Sequence, residues 1–393
     1  MNNYIKNKNK EIDILSGHNN ITNYDNIFDI LSKKEEFIKK LREQNEKIYY
    51  HNLTNNNQTK FNSDTFSYEY TYERFNGFIE IPNFVNNFYK LKKTIITDNY
   101  FTNCGMSAIV SLLTSIVLGN NISVDLLYDE TYFETIKYLT MVSKETNNSK
   151  FLYVDSIASN FNFKIEQYDL SNYIGVIIDT TCFKGYEFKK MIETIYSKNL
   201  LCVLVRSHTK LDLLATEYSH LGSVSFIYPN NMSDINKELF EKIKLNCRHL
   251  IGVYGACVPP NRFPEFMLNK EVKILNEDRL DRVKNNNEEL FNYLNKRNIN
   301  IVLPNHKQFC LIYLGNKEYE LDDMKQKIIN FCNSFKNKFP VYHAVSFGFD
   351  YIALDCYQNY IDNTYKIRIC MSDYPREINN NFYEELYSFL KNI

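Results

Sequence analysis

Glycine is scarce in this sequence. Eleven glycines among 393 residues is well below the usual ~7%, so a glycine kept in a turn marks a place where the backbone needs one. An excess of one charge is also missing. Lysine and arginine total 46 against 47 acids, a net charge of −1, so no global field draws in nucleic acid or an anionic membrane. No apolar run approaches a membrane span. The opening "MNNYIKNKNKEIDIL" lacks the apolar stretch of a signal peptide, which predicts a cytoplasmic protein. The nine cysteines include no CxxC pair and the seven histidines no HxxxH pair. Both absences argue against a disulfide frame or a metal site and for reduced, buried thiols.

What is present is globular. Hydrophobic residues make up 44% of the chain, aromatics 15% and charged residues 24%. The length exceeds one ordinary core. Residues 1–65 read as an Asn-rich N-terminal arm with one helix, "NIFDILSKKEEFIKKLREQNEKI", whose run "KKEEFIKKLREQNEK" reads as a solvated face. Residues 66–255 read as a large α/β domain. Apolar runs ("SVDLLY", "KFLYVDS", "YIGVIIDTT", "LLCVLVRS", "GSVSFIYP") alternate there with helical stretches, which predicts a mostly parallel sheet covered on both faces. Residues 256–393 read as a smaller C-terminal α/β domain, with "HAVSFGF" and "YKIRICMS" among its strands.

Ligands in such sheets bind beyond the carboxyl ends of strands, and three ends stand out. "GVIIDTT" delivers Asp179, for which the alternative is the cap of a turn with Thr180 and Thr181. "LLCVLVRSHTK" delivers Ser207, Thr209 and Lys210. "NCGMSAIVSLL" places Gly105 at a helix start, where free N–H groups and the helix dipole favour an anion. Ser207 and Thr209 add hydroxyl donors. A lysine at a buried strand end is costly unless it serves chemistry as a neutral amine. Pyridoxal phosphate meets all three features: a phosphate for the helix, an aldehyde for the lysine, a ring nitrogen for the acid.

At these residues the sequence resembles the pyridoxal-phosphate enzymes of cysteine and methionine metabolism, such as methionine γ-lyase and cystathionine γ-synthase. "SHTK" is similar to the family's Ser-x-Thr-Lys, "DTT" to its Asp-Asn-Thr, "CGM" (Cys104 to Met106) to its Ser-Gly-Met phosphate turn. "YER" (Tyr72, Arg74) resembles its Tyr-x-Arg, "LYD" (Tyr128) its Leu-Tyr-Gly, "AVSFGFD" (Ser346) its Ser-Leu-Gly strand, and "YKIRICMS" (Arg368) its carboxylate-binding strand.

The resemblance implies a type I pyridoxal-phosphate-dependent transferase fold. It implies Lys210 as the Schiff-base lysine, Asp179 as the ring-nitrogen partner and Tyr128 as ring-stacking acid/base. Cys104, Gly105, Met106, Ser207 and Thr209 would hold the phosphate, together with Tyr72 and Arg74 from a neighbouring subunit. Arg368 and Ser346 would bind an amino-acid substrate. It also implies a homodimer or a tetramer of two dimers, and γ-elimination or γ-replacement on a homoserine-, homocysteine- or methionine-like substrate. An aminotransferase of the same fold and a non-catalytic binding protein remain alternatives. The pattern departs from the family after the lysine, in "LDLLATEYSHLGS", where Asp212 and Glu217 have no family counterpart.

Overall fold

The computed structural model describes residues 2–17, 25–54, 60–62, 65–69, 78–142, 150–229, 231–314, 321–358 and 364–393. The chain divides into two compact units. One holds Met1–Leu41, Lys210–Thr216 and Phe266–Ile393; the other holds Arg42–Thr209 and Glu217–Glu265. The chain opens with helices α1 (Asn2–Leu15) and α2 (Ile27–Thr54). A small antiparallel ribbon follows, β1 (Lys60–Asn62), β2 (Ser67–Glu69) and β3 (Phe78–Glu80), and then α3 (Phe84–Phe88).

The unit spanning Arg42–Thr209 and Glu217–Glu265 is built on six strands: β4 (Thr97–Thr102), β5 (Ser123–Leu126), β6 (Lys150–Asp155), β7 (Gly175–Asp179), β8 (Leu201–Ser207) and β9 (Gly222–Ile227). Their order is β4-β9-β8-β7-β6-β5. β5 through β8 pair in parallel, and β9 runs against both neighbours. The apolar runs in the sequence have a direct cause here. Leu201, Val203 and Val205 of β8 join one hydrophobic cluster, while the alternate residues Cys202 and Leu204 are equally buried, so both faces are covered. α4 (Gly105–Leu113), α5 (Phe133–Val142), α6 (Lys189–Ser197) and the short α7 (His208–Leu211) sit on the βα connections, and α8 (Asp234–Val253) follows β9. α4 runs on into one wider π turn, Thr114–Leu118.

The other unit carries α9 (Lys270–Asn295), β10 (Ile301–Val302), β11 (Cys310–Tyr313), α10 (Leu321–Asn333), β12 (Val341–His343), β13 (Ile352–Gln358), β14 (Tyr365–Cys370) and α11 (Arg376–Lys391). The strand order is β10-β11-β14-β13-β12, with β12 and β13 parallel and the rest antiparallel. Its core takes Leu290 from α9, Ile328 from α10, Leu354 from β13, Ile367 from β14 and Phe382 from α11; Tyr4 and Ile27 from the first two helices join it.

Three expectations change. "HAVSFGF" is not a strand: β12 ends at His343, and Gly348 at φ +93° turns the chain, so Ser346 sits in a loop. α1 forms in a stretch with little apolar periodicity, because Lys8 and Glu11 are fully buried among charged partners. The run beginning at Lys33 is not wholly solvated either. Glu35–Lys39 and Glu36–Lys40 form exposed i,i+4 pairs, but Lys34 is only 3% exposed. Of the nine cysteines none is bridged, and all but Cys104 are buried. Among the described residues no helix is long and apolar enough to cross a membrane.

Candidate active site

The turn before α4 is shaped by glycines. Cys104 is the helix N-cap, extended at φ −165°, and its sulfur accepts from the Ser107 N–H at 3.3 Å. A Cβ on Gly105 would lie 2.7 Å from Ser207 Cβ. A Cβ on Gly222 would lie 2.3 Å from the Cys104 carbonyl oxygen and 2.7 Å from the Gly105 nitrogen. The start of α4, the end of β8 and the start of β9 therefore meet closer than any side chain allows. Gly105 and Met106 are the first two residues of α4, where N–H groups have no intrahelical acceptor. The Met106 side chain packs on the core beneath.

Ser207 ends β8 facing Gly222. Its N–H donates to Thr181 Oγ1 at 3.0 Å, and its hydroxyl has no partner among the described residues. Thr209 is 9% exposed and its Oγ1 accepts from the Leu221 N–H at 3.0 Å, which leaves the hydroxyl proton to offer. Of the two hydroxyl residues, Ser207 lies against the first residue of α4 and Thr209 ties the loop to β9.

Two acids end neighbouring parallel strands. Asp179 on β7 stands in register with Asp155 on β6. Asp179 Oδ1 accepts from the Thr181 N–H at 2.8 Å, so the turn-cap reading is realised too. Asp155 accepts from the Tyr132 and Ile157 N–H groups, each at 2.9 Å. Burial, with Asp179 beside it, pushes the Asp155 carboxyl up to about 8. Burial also raises Asp179, against the Thr181 hydrogen bonds and the Arg206 charge, which lower it. Within the protein Arg206 is the cation that acts on Asp179. Arg206 is 1% exposed, donates to the Thr180 and Phe183 carbonyls and lies 5.0 Å from the Phe88 ring. Asp155 and Arg206 were missed in the sequence. Their signals were the same as that of Asp179: an acid closing the apolar run "KFLYVD", and a charge inside the buried run "CVLVRS".

Tyr128 is 6% exposed. Its hydroxyl accepts from the Asn162 N–H at 3.0 Å and lies 3.4 Å from the Tyr168 hydroxyl, and its ring leans on Phe161 at 6.1 Å. Burial first, then the Tyr168 hydrogen bond, raises its pKa, so near neutral pH it keeps its proton and is a poor base. Tyr72 and Arg74 lie outside the described residues.

Lys210 follows Thr209 directly in the chain but packs with the other unit. There its Nζ donates to Ser346 Oγ and lies 5.5 Å from the Phe347 ring. Two residues singled out separately in the sequence, 136 positions apart, are thus brought together. Gly348 makes this possible: a Cβ there would sit 1.8 Å from the Lys210 carbonyl oxygen. In the same unit Arg368 on β14 stands opposite Asp355 on β13, with Nη2 at 3.5 Å from Oδ2. The partner is supplied by cross-strand register, from 13 positions away in the chain. His343 Nε2 is 3.5 Å from Asp355 Oδ1. Arg368 Nε and His343 Nε2 are buried without hydrogen-bond partners. Asp212 acts electrostatically on the half-buried Lys273, and Glu217 is exposed.

No model of a known family matches the chain, and no curated protein matches its sequence. Solved structures do match. The serine palmitoyltransferase of Sphingomonas wittichii superposes with a TM-score of 0.53 at 12% identity, covering 78% of this chain and 74% of that one. An alanine variant of the S. paucimobilis serine palmitoyltransferase, with a bound PLP–myriocin aldimine, superposes with a TM-score of 0.50 at 11% identity, covering 78% and 75%. At such identities the likeness is one of fold. The chain has the α/β fold of the type I pyridoxal-phosphate-dependent transferases, with a large mixed sheet and a second, smaller one.

Proposed function

We propose that this protein is a pyridoxal-phosphate-dependent enzyme acting on a small amino acid, with Lys210 as the residue that carries the cofactor. The observation that carries the reading is the glycine-shaped turn of Cys104, Gly105 and Gly222 seated against Ser207, three residues before Lys210. The residues fit the group's demands. The Gly105 and Met106 N–H groups and the unpartnered Ser207 hydroxyl suit a phosphate. The buried Asp155–Asp179 pair suits a protonated ring nitrogen, since a cation beside it would offset the burial that raises both carboxyls. When bound, the cofactor would supply an electron sink for charge developing at the substrate Cα.

The rest falls to the side chains. Asp179 would hold the ring nitrogen's proton in place. Lys210 Nζ, oriented by Ser346 Oγ, would take and return the proton at the substrate Cα. Arg368, with an unpaired Nε, would bind the substrate carboxylate, a charge-assisted contact worth ~1.5–3 kcal/mol; His343 and Asp355 would set its orientation. γ-Elimination or γ-replacement also needs a proton removed at Cβ. With Tyr128 buried and raised, Lys210 is the base left for both positions. In the same reading Tyr72 and Arg74 would reach a neighbouring subunit, making the active unit at least a dimer.

The test is direct. Purified protein is mixed with pyridoxal phosphate, reduced with borohydride and digested, and the labelled peptide is identified by mass spectrometry. Label on Lys210, lost in Lys210→Ala, is the expected result. Absence of label, or label shared among surface lysines, overturns the proposal.

A further inference from the structure

The segment Lys210–Thr216 leaves its neighbours in sequence and packs with α1, α2 and α9 instead. Its backbone is strained: Leu214 and Ala215 are consecutive non-glycine residues at φ +51° and +61°. Such a conformation persists only where the surroundings hold it. The Leu211 carbonyl accepts from Asn276 Nδ2 at 2.5 Å. The Leu214 side chain is buried with Ile14, Val272 and Leu275, and its carbonyl accepts from Lys34 Nζ at 2.6 Å.

Lys34 has three N–H donors, and all three are used. The other two go to Glu11 Oε2 and to Asp350 Oδ2, the latter at 2.6 Å. Asp350 closes the loop that presents Ser346 to Lys210. The same loop is gripped by Arg279, which donates to the Gly348 and Phe349 carbonyls at 2.9 Å. Lys8 completes the network by pairing with Glu11, Asp350 and Asp373. Three buried cations (Lys8, Lys34, Arg279) thus meet three buried acids (Glu11, Asp350, Asp373). The network thereby ties the carbonyl of a residue held at positive φ to the acid that closes the Ser346 loop.

We infer that Lys34 is a positioning residue for Lys210. One ammonium on α2 sets the spacing between the strained loop after Lys210 and the loop that offers Ser346 to its amine. The inference rests on the reading of Lys210 as the reactive lysine, but its geometry is independent of any cofactor.

The experiment uses cofactor-free, full-length protein. Lys34→Met alone would strand buried carboxylates, so the probe is the charge-balanced double variant Lys34→Met/Glu11→Gln. Two quantities are read: hydrogen exchange of the amides, and the rate at which trinitrobenzenesulfonate labels Lys210, mapped by mass spectrometry. Exchange should quicken at least tenfold in 210–216 and 346–350 and stay within twofold in β13 and β14. Labelling of Lys210 should change at least threefold. In a Ser346→Ala background the same double change should add nothing, since its route through Ser346 is gone. Unchanged exchange in 210–216 overturns the inference. So does a uniform rise across the whole unit, or an undiminished labelling change in the Ser346→Ala background. If the double variant does not fold, Lys34→Arg keeps the charge but alters the donor geometry and is held to the same three criteria. Failure of wild-type protein to take borohydride label at Lys210 would sink the cofactor reading and leave these measurements standing.

Discussion

Replacing Gly222 with alanine tests the phosphate turn at its tightest point. The added Cβ would lie 2.3 Å from the Cys104 carbonyl oxygen, 2.5 Å from its carbon and 2.7 Å from the Gly105 nitrogen. All three are backbone atoms, so no side chain can swing aside. Ordinary contact between such atoms needs about 3.5 Å, so the start of α4 must retreat from β9 by about 1 Å. Overpacking of this kind costs ~1–3 kcal/mol of stability. The retreat also draws the Gly105 and Met106 N–H groups away from Ser207. Loss of one charge-assisted hydrogen bond to an anion costs ~1.5–3 kcal/mol, which weakens pyridoxal phosphate binding at least about tenfold. Gly255→Ala is the control. Gly255 sits at φ +62° with open space around its would-be Cβ, so alanine there strains the backbone without placing a Cβ against the turn. Titration calorimetry with pyridoxal phosphate and urea unfolding of both variants give the two numbers. Unaltered affinity in Gly222→Ala, or equal weakening in Gly255→Ala, would refute the argument that this turn is the anion cradle.

Two further expectations follow from the same unit. Asp155 is held near 8 against an ordinary 3.8, so between those values the folded protein keeps a proton that the unfolded chain has released. Its contribution to stability is fully present below the lower value and is lost as pH rises through about 8. Asp155→Asn should flatten this decline between pH 5 and 8 by at least about 1.4 kcal/mol, read from urea midpoints; an equal decline in both proteins would contradict the buried-pair account. Tyr128→Phe should strip the Asn162 N–H of its acceptor and lower stability by ~1–3 kcal/mol while leaving borohydride labelling of Lys210 intact, and loss of labelling with unchanged stability would restore Tyr128 to a chemical role.

Strands β6 to β9 were legible because burial on both faces leaves a continuous apolar run, as in "CVLV" and "GVII", and the helices between them because one face is apolar at helical spacing; β4, "TDNYFT", has no such run. The strand ends were legible for the same reason: Asp179, Ser207 and Lys210 stand where an apolar run stops. Asp155 stood in an equally plain position and was passed over because it belongs to no motif of the resemblance. α1 and the burial of Lys34 were harder to read, since α1 buries Lys8 and Glu11 beside Tyr4, Ile12 and Leu15 and Lys34 meets an acid as distant as Asp350, and a solvated lysine and a buried one look alike in a list of letters.

The amino-acid sequence by itself determined the α/β class, the parallel strands, the glycine turn before α4 and the place of Ser207 at a strand's end, because each depends on local pattern. Tertiary structure alone decided that Ser346 meets Lys210, that Asp355 faces Arg368, that Asp155 shadows Asp179, and that the segment after Lys210 is pinned by Lys34. Those pairings depend on strand register and on loops closing over long distances, and neither is written in the neighbours of a residue.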